Sequence, residues 1–575
     1  MGTRLGALTL AVVTVAAGIT VAPGWAAAED TPAPVVVDHW FTTSDGVQLQ
    51  TTLTTTGTST GAVEAKPTVV EFSPYGNNSQ TLEVGPDYNY LLVQIRGTGG
   101  SDGSFDALGP KSQSDVVEVL EWACTQPFSD GRLALNGFSA SAIVLYNSWH
   151  QELPCVKAAI LRSGTHELYR DLLVPGGLMN LVPGAGVISL IGAPALLQGV
   201  ERLQRNPASS LDVIGGLFTS GVNAGLAHPS LDAWWAERGW RGDANDIPVL
   251  MINGFYDVES RGAFQGYRAL RADGAHLLME GGHDGVPVGT DGGAAEAAAW
   301  LDHFVRGEAN GIESQPRVSL TLAKGDRPSY LKGEHVTVRG TDWPLPGTEW
   351  TELAFAPGRA LALTPPTTRG TASYVTVPSL PTMTDVPNIA LIDAGAAGAL
   401  PLLSQTTLAS IDGVTGLTYT TGALDADVDL AGPVALDLNL STTTPGSGIW
   451  AVLSDVAPDG TSSPLTVGRL NTNYPGVVPG KSMTDSQGRI VQPYGDYSHT
   501  SPATPLQFRR YQVELWPVGN RFEKGHRIRI QIVGTSLASP LALPAIHNLR
   551  IGGADGARLR VPVLPGSDLG SALTP

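Results

Sequence analysis

Between residues 35 and 163 short apolar runs alternate with longer amphipathic stretches. Residues 69–72, 90–95, 133–136 and 156–161 are brief, mostly apolar and rich in Val, Ile and Leu, which predicts buried strands. Residues 114–124 and 140–150 carry helical periodicity between them. Strand and helix in alternation predict an α/β fold around a parallel sheet. From 165 to 245 the strand pattern stops, and Leu, Gly and Pro dominate a stretch that includes the apolar run 187–197 and the aromatic cluster Trp234, Trp235 and Trp240. This segment is expected to be an inserted helical cap, with the apolar run either ordinary cap core or, alternatively, the lining of an apolar pocket or a contact with lipid during catalysis.

Strand and helix resume with 247–252 and 276–280 and end in a helix bearing Trp300, Leu301 and Phe304. After about residue 316 the chain turns to short β runs, such as 434–440, 450–455, 511–515 and 527–533, separated by Thr- and Pro-rich turns. Many short strands at regular spacing predict an all-β sandwich or jelly roll. The expected organisation is a signal peptide (1–28), the first part of an α/β-hydrolase domain (29–164), the cap (165–245), the second part of the hydrolase domain (246–312), a β jelly roll (313–565) and a loose tail (566–575).

A chain of 575 residues exceeds what one hydrophobic core usually supports, which agrees with that division. The net charge of −18, with no Lys/Arg cluster, argues against a nucleic-acid partner. Arg4, the apolar residues 5–21 and Ala26-Ala27-Ala28 have the order of a secretion signal, so export to the cell envelope or medium is expected. The alternative is a retained anchor, but Gly18 and Pro23 interrupt the stretch and no basic stop-transfer flank follows. No stable membrane insertion is therefore expected. The two cysteines, Cys124 and Cys155, fall at the end of a helix and the start of a strand on one edge of the sheet. They are expected to form a disulfide, the alternative being two buried thiols. Neither has metal-ligand spacing to His or Cys, so no metal site is expected.

Reactive side chains follow four of the predicted strands. In an open parallel sheet, groups placed just beyond the carboxyl ends of strands converge. Two Gly-x-Ser-x-Gly matches, around Ser59 and Ser101, lack a following helix. Ser139 has a strand before it and a helix after it, with Gly137 and Ser141 as small neighbours, which is the context a nucleophile elbow requires. Its alternative role is a helix cap. A serine hydroxyl needs an imidazole to take its proton and a carboxylate to orient that imidazole. His283, in a Gly-rich loop after 276–280, and Asp257, after 247–252, are the candidates; a solvated loop histidine and a helix-capping carboxylate are the alternatives. The backbone N–H of Ala140 is one expected oxyanion donor by position, and the phenol of Tyr75, after the strand at 67–72, the other.

These residues stand in longer motifs: Ser73-Pro74-Tyr75-Gly76, Arg96-Gly97-Thr98-Gly99-Gly100-Ser101-Asp102-Gly103, Gly254-Phe255-Tyr256-Asp257 and, further on, Gly525-His526-Arg527. In them the chain resembles the family that includes bacterial cocaine esterase, α-amino acid ester hydrolases, glutaryl-cephalosporin acylases and Xaa-Pro dipeptidyl-peptidases. The resemblance implies Ser139, Asp257 and His283 as triad, Tyr75 and Ala140 as oxyanion hole, and a C-terminal jelly-roll domain. Phe255 and Ala140 stand where the family often has Trp and Tyr, so the pocket is expected to differ. The expected function is an exported serine hydrolase acting on small-molecule esters, amides or peptides through an acyl-enzyme, without cofactor. Xaa-Pro dipeptide release, with Glu167, Asp171 or Glu201 holding an α-ammonium, is one alternative, and a catalytically inactive surface-binding protein the other.

Overall fold

A computed structural model describes residues 34–56, 63–76, 79, 81–180, 187–270, 274–283, 285–377, 413–536 and 542–573. The signal-peptide segment and Ser59 lie outside the described residues, as does Asp284 beside His283. The chain opens with strands β1 (Pro34–Thr42), β2 (Gln48–Thr56), β3 (Lys66–Ser73) and β4 (Asn89–Gln94), then helix α1 (Pro110–Cys124), strand β5 (Ser129–Phe138), helix α2 (Ala140–Ser148) and strand β6 (Val156–Arg162). After a helical insertion come β7 (Val249–Asn253), α3 (Ser260–Ala269), β8 (Ala275–Met279), α4 (Ala294–Phe304), β9 (Val318–Ala323) and β10 (His335–Gly340). Pro110 starts α1 four residues before the sequence pattern suggested, because its fixed φ suits the first helical turn.

In space the strands run β1, β2, β4, β3, β5, β6, β7, β8, β9, β10. The steps β1–β2, β2–β4 and β9–β10 are antiparallel and all others parallel. The sequence of each strand suits its place. Alternate residues of β2 are buried, whereas seven of the eight residues of β3 are, because helices cover both faces of the sheet centre. Within β3, Val69 packs with Ala134, Leu250 and Trp300 of α4, while Val70, one residue on, faces the core shared by α1 and α2. The disulfide Cys124–Cys155 joins the end of α1 to the residue before β6, with Cα atoms 6.1 Å apart.

The texture assigned residues after 313 to the β-rich part, yet Val318 to Leu320 pair in parallel with Leu277 to Met279, so β9 extends the α/β sheet. The rest is mostly β. Strand Val428–Thr442 pairs antiparallel with Arg509–Phe522 and Arg558–Val563, and Gly448–Val456 with Ser462–Asn471 and Arg527–Val533. The expected loose tail is instead anchored: Asp568 caps a helical turn, Leu569–Ala572, whose Leu569 and Ala572 are buried in the core. Short apolar side chains without a charge among them gain more from that burial than from hydration.

Candidate active site

Ser139 joins β5 to α2 with φ 57° and ψ −124°, a backbone conformation strained for any residue with a Cβ. The helix compensates: its first bonds, from the N–H groups of Ala142 and Ile143, both end on the Ser139 carbonyl. Gly137 permits the turn, since a Cβ there would lie 2.6 Å from the backbone of Ala142. Asp257 and His283 arrive on loops after β7 and β8 that touch at their backbones. A Cβ on Gly254 would fall 1.4 Å from the Gly281 carbonyl oxygen, so only glycine allows the two loops to approach this closely.

The structure brings together all five residues expected from the sequence. His283 Nε2 lies 2.8 Å from Ser139 Oγ, and His283 Nδ1 lies 2.8 Å from both oxygens of Asp257. Asp257 also accepts the backbone N–H groups of Glu259 (2.8 Å) and His283 (3.0 Å), so one carboxylate orients the ring and holds its loop. The Ala140 N–H donates to the Tyr75 hydroxyl oxygen at 3.0 Å. Side chains of His283 and Asp257 are 2% and 0% exposed, while Ser139, Ala140 and Tyr75 are half-buried. The Ser101 alternative is excluded by geometry: its Oγ donates to the Gln94 carbonyl and accepts the Gln50 N–H, a purely structural pairing.

Burial alone would push the Asp257 carboxyl up, but the charge and hydrogen bond of His283 outweigh it and hold Asp257 below the ordinary range. Burial likewise opposes protonation of His283, yet Asp257 raises it above the usual 6.5. Burial lifts the Tyr75 phenol to about 12, partly offset by hydrogen bonds with Ser139 and Ala140, so it stays a proton donor throughout the neutral range.

Two buried acids escaped the sequence reading. Glu71 sits mid-strand beneath the elbow, accepting from the Tyr90 hydroxyl, from Asn136 (2.9 Å) and from Ser141 (3.3 Å). A charged residue inside the apolar run 67–72 was its sequence signal. Glu259, two residues after Asp257, is fully enclosed, and its Oε2 has no hydrogen-bond partner. Burial raises it to about 8, with His283 pulling it down and Asp257 and Asp171 pushing it up. Nothing in the local pattern marks it, because its burial is made by elements distant in sequence.

Among the acids proposed for an α-ammonium, Asp171 is paired with Arg261 at 2.5 Å, and Glu167 accepts from Tyr494 and faces Arg170 and Arg261. The Glu201 side chain lies outside the described residues. Arg261, on α3, also bonds Glu514 of the β-rich part at 2.8 Å, so insertion, hydrolase sheet and β-rich part lock together beside Asp257. Among the described residues no group of three or more His, Cys, Asp or Glu side chains could hold a metal.

A parallel sheet that presents a linked serine, histidine and carboxylate at its carboxyl edge defines the class of α/β serine hydrolases. Comparison with known proteins narrows the class. Residues 45–285 match the model of the X-Pro dipeptidyl-peptidase (S15) family, and residues 310–548 match the X-Pro dipeptidyl-peptidase C-terminal non-catalytic domain. The two parts of the chain thus match, in order, the catalytic and C-terminal models of one family of serine hydrolases. It is 23% identical over 499 residues to the cocaine esterase of a Rhodococcus species, covering 77% of this chain and 80% of that one. Its fold is similar to a CocE/NonD family hydrolase of Staphylococcus aureus, with TM-score 0.72 at 16% identity over 92% of this chain and 94% of that one. An aminopeptidase from a marine-sediment thaumarchaeote also has TM-score 0.72, at 17% identity over 95% and 98% of the two chains.

Proposed function

We propose that the protein is an exported hydrolase that cleaves carboxylic esters or amides through an acyl-enzyme on Ser139. The observation that carries this reading is the 2.8 Å contact from Ser139 Oγ to His283 Nε2, with Nδ1 fixed on Asp257. The Nδ1–H hydrogen bond to the Asp257 carboxylate fixes the tautomer with a lone pair on Nε2, which takes the serine proton as Oγ attacks the acyl carbon. The carbonyl oxygen becomes negative and replaces Tyr75 as the acceptor of the Ala140 N–H, while the Tyr75 phenol turns to donate to the same oxygen. Protonated His283 then delivers its proton to the leaving alkoxide or amine; water, deprotonated by His283 in its turn, attacks the acyl carbon, and His283 returns that proton to the departing Ser139 Oγ as the acid is released. The helical insertion acts as the cap and the β-rich part as a jelly roll closing the pocket; Gly519 packs on the Phe255 ring beside the site, in support of that enclosure.

The signal-like segment 1–28 underlies the proposal of export, and the disulfide agrees with an oxidising compartment. Removal of N-terminal Xaa-Pro dipeptides is the second reading. Glu259 favours it, because a buried carboxyl whose Oε2 lacks a hydrogen-bond partner, within the electrostatic reach of His283, would ionise on meeting a substrate α-ammonium. The ratio of kcat/KM for an amino-acid ester with a free α-amino group to that for its N-acetyl form separates the two: a large ratio selects the amine-recognising reading.

The primary test is labelling of the mature protein with a fluorophosphonate, comparing wild type with Ser139→Ala and Ser101→Ala. Label lost only in Ser139→Ala is expected. A folded wild type that takes neither this label nor turns over p-nitrophenyl acetate would favour an inactive surface-binding protein.

A further inference from the structure

The helical insertion between β6 and β7 contains an antiparallel hairpin, Val187–Gly192 and Val200–Arg205 against Leu217–Val222 and Pro207–Gly216, that is apolar on both sides. Its inner side buries Ile191, Ala195, Val213 and Leu217. Its outer side exposes Leu197, Leu211 and Phe218 by 77%, 73% and 63%. Leu211, Ile214 and Phe218 repeat at helical spacing, as do Leu196, Val200 and Leu203, so each arm presents a stripe. Nine of the twenty large apolar side chains exposed among the described residues lie between 190 and 226, too concentrated for scattered surface apolars.

Neither cation of this segment is free, and of its acids Asp212 is exposed. Residues 187–227 include Glu201, Arg202, Arg205, Asp212 and no Lys. Arg202 is buried, donating to the carbonyls of Gly99 and Ser101, and Arg205 pairs with Asp102 and lies over the Trp40 ring. Among the described residues no unpaired cation stands on this face to attract anionic headgroups, and the chain as a whole carries −18. An uncharged apolar surface is the matching partner. The face is also continuous with the candidate active site: Gln198 fills the space beside Gly76, next to Tyr75, and Gly216 rests on the backbone of Phe105.

We propose that this face adsorbs to the uncharged surface of an aggregated ester, as in an emulsion droplet, and so delivers acyl chains to Ser139. The proposal rests on the ester-hydrolase reading above.

The test uses Ser139→Ala mature protein, which adsorbs without consuming lipid, floated with a triolein emulsion free of charged surfactant. Adding Leu197→Ser, Leu211→Ser and Phe218→Ser should lower the floating fraction at least about ten-fold. In the wild-type background the same three substitutions should leave circular dichroism and p-nitrophenyl acetate hydrolysis unchanged, while the rise in rate as tributyrin passes its solubility limit disappears. Equal flotation with and without the three substitutions, or none in either, overturns the proposal. So does light scattering that finds a wild-type dimer which the substitutions convert to monomer, since the face then belongs to a second copy. Flotation without hydrolysis of any ester would count against the ester reading alone.

Discussion

Glu259→Gln should make the protein more resistant to alkaline unfolding, and the structure supplies the size of the effect. The folded-state carboxyl is raised from 4.5 to about 8, first by burial. At 1.36 kcal/mol per unit the full shift corresponds to about 5 kcal/mol. Because the folded state holds the proton more tightly than the unfolded one, stability from this group is complete below the unfolded pKa. It is lost as pH rises through the folded one. By that linkage, ionisation of this carboxyl in the unfolded chain, which the folded state resists, costs the wild type about 1 kcal/mol at pH 5 and about 4 kcal/mol at pH 8. A glutamine fills the same volume and never ionises, so its advantage over the wild type should grow by about 3 kcal/mol between those pH values. Urea unfolding of both proteins, followed by tryptophan fluorescence at pH 5 and pH 8, measures this difference, and titrations common to both cancel. A difference that stays constant with pH would refute the assignment of Glu259 as a neutral, enclosed acid.

Tyr75→Phe removes one oxyanion donor and should lower kcat by about two to three orders of magnitude with little change in KM; an unaltered kcat would remove the phenol from the oxyanion hole. His283 must be neutral to accept the serine proton, and its pKa is raised, so kcat/KM should fall on the acid side with a midpoint above 6.5. In Asp257→Asn that midpoint should move down and kcat drop by about four orders of magnitude, as measured by a pH–rate series on a soluble ester. Replacing both cysteines by serine opens a loop with a sequence separation of 31. It should cost about 3 to 4 kcal/mol in denaturant unfolding, with native activity retained.

Local pattern located the elements that carry chemistry. The apolar runs at 69–72 and 133–136 fall in β3 and β5, and the reactive residues that follow them do stand at one edge of the sheet. Strand direction explains why: parallel strands release their next residues on the same side, so order along the chain was enough to nominate Ser139, Asp257 and His283. Pattern failed where burial depends on partners far away. The apolar run 187–197 is not wholly core, since Ile191 and Ala195 face in while Leu196 and Leu197 face out.

The sequence by itself determined the alternation that builds a parallel sheet, the small residues at 137 and 254 without which the turns cannot close, and the candidates for nucleophile, base and acid. These follow from short-range sterics and from the period of apolar residues, which any local window contains. Only the tertiary structure decided that β9 joins the α/β sheet, that Glu259 is enclosed without a hydrogen-bond partner for Oε2, and that Arg261 ties α3 to Glu514 across 253 positions of chain. Pairing register, desolvation and long-range charge are properties of the assembled core, because each depends on which distant residue happens to arrive as the neighbour.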